Sequence, residues 1–339
     1  MMKRLVCAFL AATLCGSAVS AEAACRMKLS VTYPVTMIDH EPFIDATVDG
    51  KPARFRFTLN SSQSFLWRSG AKALGVKPEL DGQTIVGPGG AVDLGWHRFN
   101  TVKAGDTTQL DVDMMVIQDD QSHLEAGMLA QDFLGEFDVE LDLGHRAIRL
   151  IRPQDCIGDQ VVYWRNTYTA APLASLLEVQ VSVNGRPATA LLDPAQRLSV
   201  VTVNGAKRLG LSLGERGQLP ASMLSGLIFK PIDVWTTTIQ SLSIGDDETV
   251  KGIVLAVGDV YGNSIDRQPG PGVQWQFGRN VDLILGDDFL EAHRVYLSQN
   301  QQRVYMTYLG GPIFQTLDKE LIRGSPTPQA SKDATTPKP

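Results

Sequence analysis

The chain is 339 residues long, 43% hydrophobic and 20% charged, with a formal net charge of −6 at pH 7. It has no basic cluster to neutralise phosphates, which excludes nucleic acid as a partner, and beyond its N-terminal segment no stretch approaches the roughly 20 apolar residues of a transmembrane helix. The length suits two domains of ordinary size.

The chain begins as a secretory signal does: Lys3 and Arg4, an apolar run from Leu5 to Leu14, then Ala21-Glu22-Ala23 as an A-x-A cleavage site. Residues 1–23 are set aside on this reading, and the mature protein is expected to be soluble, monomeric and exported, periplasmic or secreted. Cys7 and Cys15 fall inside the signal. Cys25 and Cys156 remain, expected as one disulfide in an oxidising compartment, with two free thiols as the alternative.

A first domain is expected over residues 24–155. Phe43 to Thr47 runs into Asp49-Gly50, a dipeptide favoured in two-residue type I′ turns, and Ala53 to Phe57 returns as the second strand of a hairpin. That strand delivers the chain to a loop at Thr58. A short helix follows, with Ser69 as N-cap and Gly75 as the left-handed terminator. Val86-Gly-Pro-Gly-Gly90 is a glycine-rich loop, Gln109 to Ile117 a strand, and Phe137 to Leu143 with Ala147 to Ile151 a closing hairpin. Asp138, Glu140 and Asp142 alternate with apolar residues, as on a solvated strand face.

After a linker over 156–172, the second domain, 173–312, repeats the order. Glu178 to Val183 turns through Asn184-Gly185 into Ala188 to Leu192, which ends at Asp193. Asn204 and Gly210 bound the helix, Thr249 to Val257 is the later strand, and Arg294 to Leu297 with Arg303 to Tyr308 closes the unit. Residues 313–339 read as a disordered tail, poor in apolar residues and rich in Pro, Ser, Thr and Lys from Gly324 onward.

The two halves are one segment written twice. Residues 48–76 match 183–211 without a gap at an offset of 135, Val102-Lys-Ala-Gly105-Asp106 matches Leu242-Ser-Ile-Gly245-Asp246 at 140, and Gln131-Asp-Phe-Leu134 matches Asp287-Asp-Phe-Leu290 at 156. The last change of offset puts an insertion in the Pro/Gly-rich stretch 261–280, which carries Trp275 and Phe277. A duplication of this size implies two similar lobes.

The motifs resemble the retropepsin-like aspartic protease family: apolar Phe57 and Leu192 before the loop, Ser64 and Ser199 after it, Leu74-Gly75 and Leu209-Gly210 at the helix end, and the late Gly127-Met-Leu-Ala-Gln-Asp-Phe-Leu134 and Leu283-Ile-Leu-Gly-Asp-Asp-Phe-Leu290. The resemblance implies an all-β protein of two β-barrel lobes in a pepsin-like arrangement, with the two active-site loops facing each other. The family's Asp-Thr/Ser-Gly-Ala aligns with Thr58-Leu59-Asn60-Ser61 and with Asp193-Pro194-Ala195-Gln196. One lobe therefore keeps its aspartate and the other has threonine. A second register, two residues later, resembles the pepsin-type loop before Leu66-Trp67 and puts Asn60 in the aspartate's place.

Aspartic proteolysis needs two carboxyls sharing a proton, one activating water while the other protonates the carbonyl oxygen. Thr58 can do neither, and an isolated Asp193 should be ionised near neutral pH. Asp193 also suits a purely structural part, accepting backbone N–H groups in a tight turn. Three functions follow: a pseudoprotease holding an extended peptide or protein segment between its lobes, an atypical endopeptidase using Asp193, and a structural envelope protein with a closed groove. For the first, the resemblance implies contacts from Asn60, Ser61, Ala195 and Gln196, and from Gly89 and Gly90 in a flap-like hairpin. Trp275 and Phe277 are placed to line the cleft.

No metal or other cofactor is expected, since His40, His97, His123, His145 and His293 lack ligand spacing. Gly210-Leu-Ser212-Leu-Gly214 fits G-x-S-x-G but follows a helix, the wrong context for a serine nucleophile. Asp287 and Asp288 read as structural.

Overall fold

The opening hairpins form as their turn residues require. Val48 pairs with Lys51 and Val183 with Arg186, and the two residues between them lie at positive φ in both copies: Asp49 47°, Gly50 77°, Asn184 51° and Gly185 76°. Positive φ at both central positions defines the type I′ turn, whose twist matches that of the flanking strands. The structure is a computed structural model describing residues 26–87, 90–133, 137–154, 168–175, 178–224, 230–245, 248–260, 273–276 and 281–314. Cys25, Cys156, Gly89 and Phe277 lie outside these residues.

Each lobe folds around a pair of crossed loops. In the first, Lys51–Phe57 runs parallel to Gly127–Leu129, which pairs antiparallel with Phe65–Trp67, itself parallel to Thr107–Ile117. In the second, Arg186–Leu192, Leu283–Leu285, Val200–Thr202 and Glu248–Gly258 repeat those directions. The chain leaves one side of a short central strand and returns on the other, so the intervening loop, 58–64 or 193–199, is pinned at both ends.

The short helices run Arg68–Ala73 and Val203–Leu209, two residues earlier than their capping signals suggest. Ser69 and Asn204 lie inside them, not at the N-cap. Thr202 caps the second helix by accepting from Gly205 N at 2.9 Å, whereas Trp67 caps the first without a side-chain bond. Gly75 and Gly210 take the left-handed conformation, φ 70° and 66°, as expected of residues that end a helix.

A six-stranded antiparallel sheet joins the lobes, in the order Arg26–Ile38, Ala147–Gln154, Asp138–Asp142, His293–Ser298, Arg303–Tyr308, Thr169–Ser175. The closing hairpin of each copy supplies its middle, and Asp138–Asp142 pairs directly with His293–Ser298. This overturns the solvated reading of Asp138, Glu140 and Asp142, which are all buried. Glu140 is held by Arg149 and by Arg294 at 2.8 Å, and Asp138 accepts from Tyr296 Oη at 2.7 Å, Ser298 Oγ at 2.9 Å and Gln299 N at 2.8 Å. Alternation of acid and apolar residues locates the strand but cannot show that a second lobe covers its polar face. The sheet also takes in residues 169–172, expected as linker. Packing extends past 312, since Phe314 is buried near the Phe289 ring.

The glycine-rich hairpin is formed by Glu79–Gly87 and Gly90–Ala104, closing at Gly87 and Gly90. Its outer strand is paired on the far side too: Val273–Gln276, from the second-lobe insertion, runs parallel to it with Val273 beside Thr84 and Gln276 beside Val86. Trp275 thus belongs to a strand added to the first lobe. Among the described residues no helix is long and apolar enough to cross a membrane.

Candidate functional site

The backbone settles which residues are equivalent. Thr58 N donates to Leu129 O at 2.9 Å, and Asp193 N donates to Leu285 O at 3.1 Å, the same bond in each lobe. Below the loops, Ser64 Oγ and Ser199 Oγ repeat one another as well. Each donates to an aspartate of the late motif, Asp132 at 2.5 Å or Asp288 at 2.6 Å, and accepts from a backbone N–H, Ala130 at 2.9 Å or Gly286 at 3.0 Å. Thr58 is therefore the backbone equivalent of Asp193, and Asn60, two residues later, is not.

Across the lobe boundary, Thr58 Oγ1 donates to Asp193 Oδ2 at 3.3 Å. Asp193 Oδ1 accepts from Leu59 N at 3.2 Å and Ala195 N at 3.0 Å, while Asn60 N donates back to Thr58 Oγ1 at 3.0 Å. Asp193 is 0% exposed and Thr58 3%. Three of these bonds use Asp193 as acceptor, and one of the three joins the first lobe's loop backbone to the second lobe's carboxyl. Asp193 braces its own turn through Ala195 N and also meets the first lobe's loop through Thr58 and Leu59.

Four of the other predicted site residues, Asn60, Ser61, Ala195 and Gln196, belong to the two loops that make this contact. Ala195 is fully buried in an apolar cluster with Phe65, Trp67, Ile85 and Met128, which places the glycine-rich hairpin's Ile85 and the second lobe's loop in one core. Gln196 is fully buried and gives its amide N–H to Leu198 O at 2.7 Å. Ser61 Oγ donates to Gln63 O at 2.8 Å, and Asn60 Oδ1 is buried without a partner. Gly90 lies at the hairpin turn, away from the dyad in sequence and held by strand pairing.

Sequence reasoning missed the charges beneath the loops. Arg56, two residues before Thr58 and buried, puts Nη1 3.3 Å from Glu41 Oε2, and its Nη2 lies 3.3 Å from Asp287 Oδ2 and 3.4 Å from Pro194 O. Arg197 Nη1 reaches the other oxygen of Glu41 at 3.6 Å. Burial raises the Asp287 carboxyl well above the ordinary carboxylate range; Arg56 opposes this, and the charges of Glu41, Asp193 and Asp288 add to it. Burial likewise raises Glu41 against the pull of Arg56 and Arg197, and lifts Asp288 to about 6 despite its bonds from Ser199. One signal was available: Arg56 aligns with Leu191, a charge where its twin has a core leucine. Among the described residues, no group of three or more His, Cys, Asp or Glu is placed to hold a metal.

Two β lobes joined by a shared sheet, with paired loops meeting at a carboxyl, define an acid-protease scaffold. A family model described as aspartyl protease matches residues 44–133 and 179–289, more than half of the chain and one segment in each lobe. The chain belongs to that family. No curated protein matches it. Among solved structures it is similar to the aspartic proteinase from Irpex lacteus, at 11% identity and a TM-score of 0.46, over 84% of this chain and 97% of that one.

Proposed function

We propose that this protein is an exported, non-catalytic member of the aspartyl protease family that holds an extended peptide or protein segment between its lobes. The observation that carries this reading is the Thr58 Oγ1 to Asp193 Oδ2 contact: an alcohol stands where the reaction requires a second carboxyl. A hydroxyl of this kind neither takes the proton from water nor shares one with Asp193, and loss of a positioned acid or base removes about 10²–10⁴ in rate. Asp287 is electrostatically coupled to Asp193, but it belongs to the same lobe and faces Arg56, so it does not rebuild a dyad across the boundary. The capacity to hold a segment is supported by a cavity lined by residues of both lobes, among them Arg56 of the first and Arg197 of the second.

The burial of Asp193, Ala195 and Gln196 favours a second reading, a structural envelope protein whose groove is closed. Incubating the purified mature protein and its Asp193→Ala variant with a diverse peptide library from pH 3 to 7 separates the alternatives. The expected result is retention of a subset of peptides, uncut, by both proteins. Cleavage that disappears in Asp193→Ala restores the endopeptidase; no retention at any pH leaves the structural role.

A further inference from the structure

We infer that the outer edge of the hairpin strand Glu79–Gly87 is a strand-accepting edge, with Val273–Gln276 as its resident and displaceable occupant. The partner it fits is an extended, proline-free segment that alternates apolar and uncharged polar residues and runs parallel to Thr84–Val86. This rests on the peptide-holding reading above and names the place where the segment is held.

The resident strand is surplus to the fold of its own lobe. Between Asp246 and Asp287 the offset between the two copies rises from 140 to 156, so the second copy carries sixteen residues that the first lacks. The first copy joins its matching strands, Thr107–Ile117 and Gly127–Leu129, without such residues and builds the same crossed loops. The added chain instead supplies a strand to the first lobe, with Val273 beside Thr84, Trp275 beside Ile85 and Gln276 beside Val86.

That strand is held weakly by its pairing and firmly by its flanks. Its register slips between Val273 and Trp275, and a parallel ladder is slightly less stable per residue than an antiparallel one. On the other side, Thr84–Val86 pairs in regular antiparallel register with Ala91–Asp93. The insertion leaves the second lobe after Val260 and returns at Val281, both buried. Next to Val281, Asp282 N donates to Thr189 O at 2.9 Å, and the Asp282 carboxyl accepts from Thr189 N at 2.8 Å and Arg208 Nε at 2.7 Å. Gln276 and Val281 are five residues apart, so at most about 18 Å separates them. A leash this short holds the occupant at an effective concentration on the order of millimolar. It shields the backbone groups of the edge until a longer or better-matched strand replaces it.

The edge also lies where a held segment meets both lobes. Ile85 shares an apolar cluster with Ala195 of the second lobe's loop, two residues from Asp193. In strand addition the main chain supplies affinity and alternate side chains supply selectivity. The occupant's sequence, Val-Gln-Trp-Gln, shows the alternation this edge accepts.

The test uses a labelled peptide copy of residues 272–278, Gly-Val-Gln-Trp-Gln-Phe-Gly, and a control peptide with proline at both glutamine positions. Fluorescence-anisotropy titration compares the mature protein with a double variant, Gln274→Pro with Gln276→Pro, whose occupant loses main-chain donors. The copy is expected to bind the variant about tenfold or more tightly than the parent, and the control to bind neither. Equal binding of the copy to both proteins, binding to neither, or binding of the control overturns the edge. A second measurement needs no variant. With the parent saturated by the copy, hydrogen exchange should quicken at residues 273–276 and stay slow at 84–86; unchanged exchange at 273–276 overturns displacement. Library peptides retained by the parent should also bind the double variant more tightly, and retention that the substitutions leave unchanged overturns the edge while peptide holding stands.

Discussion

Thr58 and Asp193 stand 135 positions apart in sequence and 3.3 Å apart in space, with the threonine hydroxyl donating to the aspartate's outer oxygen. Duplication predicts that the two loops meet; the contact shows what meets. The pair is an acceptor and its donor, so the site is satisfied without a shared proton or a bound nucleophile.

Substituting Thr58→Asp should therefore destabilise the protein at neutral pH and much less in acid. Two carboxyls this close cannot both ionise, so the pair's upper pKa rises above the unfolded value. A raised folded pKa contributes stability that is fully present below the unfolded pKa and lost as pH rises through the folded one. Denaturant titration should show a loss of about 1–3 kcal/mol at pH 7 that shrinks toward pH 4. Thr58→Val, which removes the donor without adding charge, should show a loss that varies little between those pH values.

Asp288 supplies a cleaner pH dependence. Its carboxyl titrates at about 6 against a reference of 3.8 because it is buried, so its contribution favours the fold below pH 3.8 and is lost as pH rises through 6. The difference corresponds to roughly 3 kcal/mol. Asp288→Asn keeps an acceptor for Ser199 and cannot ionise. Its stability relative to the parent should rise by up to about that amount between pH 4 and pH 7. Parallel curves for the two proteins across this range would contradict the assignment.

Glu140 lies at the centre of the inter-lobe sheet between Arg149 and Arg294. Removing it leaves Asp142 as the acid facing both Arg149 and Arg294, and Glu140→Ala should cost about 1–3 kcal/mol in thermal or denaturant unfolding. Glu140→Gln should cost less, since the amide oxygen still accepts from one arginine.

Two glycine substitutions should separate two mechanisms. A methyl group at Gly205 would sit 2.2 Å from Asp282 O, in backbone that cannot yield cheaply, so Gly205→Ala should cost about 3 kcal/mol or more. Gly185 has open space around it but φ of 76°, so Gly185→Ala should cost only about 1 kcal/mol, through backbone strain. Both are read from urea midpoints.

The expected disulfide and signal cleavage are tested together by intact mass. Arg26 pairs with Gln154 at one end of the joining sheet; Cys25 immediately precedes Arg26 in sequence and Cys156 comes two residues after Gln154. Protein recovered from an exporting host should begin after Ala23 and be two hydrogens lighter unreduced than reduced. Cys156→Ser should then lower stability by about 3–5 kcal/mol.

The legible parts of this protein were those carried by local chemistry. Asp49-Gly50 and Asn184-Gly185 announce type I′ turns because few other residues tolerate positive φ twice in succession. Gly75 and Gly210 announce helix ends for the same reason, while the N-caps fall two residues before Ser69 and Asn204, at Trp67 and Thr202, because each helix begins where its short preceding strand ends. Arg56 was the opposite case: an unremarkable charge in sequence that the fold buries against Asp287.

By itself, the sequence determined the duplication, the β-rich lobes, the hairpins and the threonine that stands where the second copy has Asp193, because repeats, turn preferences and residue identity are properties of short segments. Only the tertiary structure decided that Asp138, Glu140 and Asp142 are buried, that Val273–Gln276 joins the other lobe, and that Arg56 and Arg197 converge on Glu41. Those outcomes depend on which distant surfaces exclude water from one another, and no local pattern records its eventual partner.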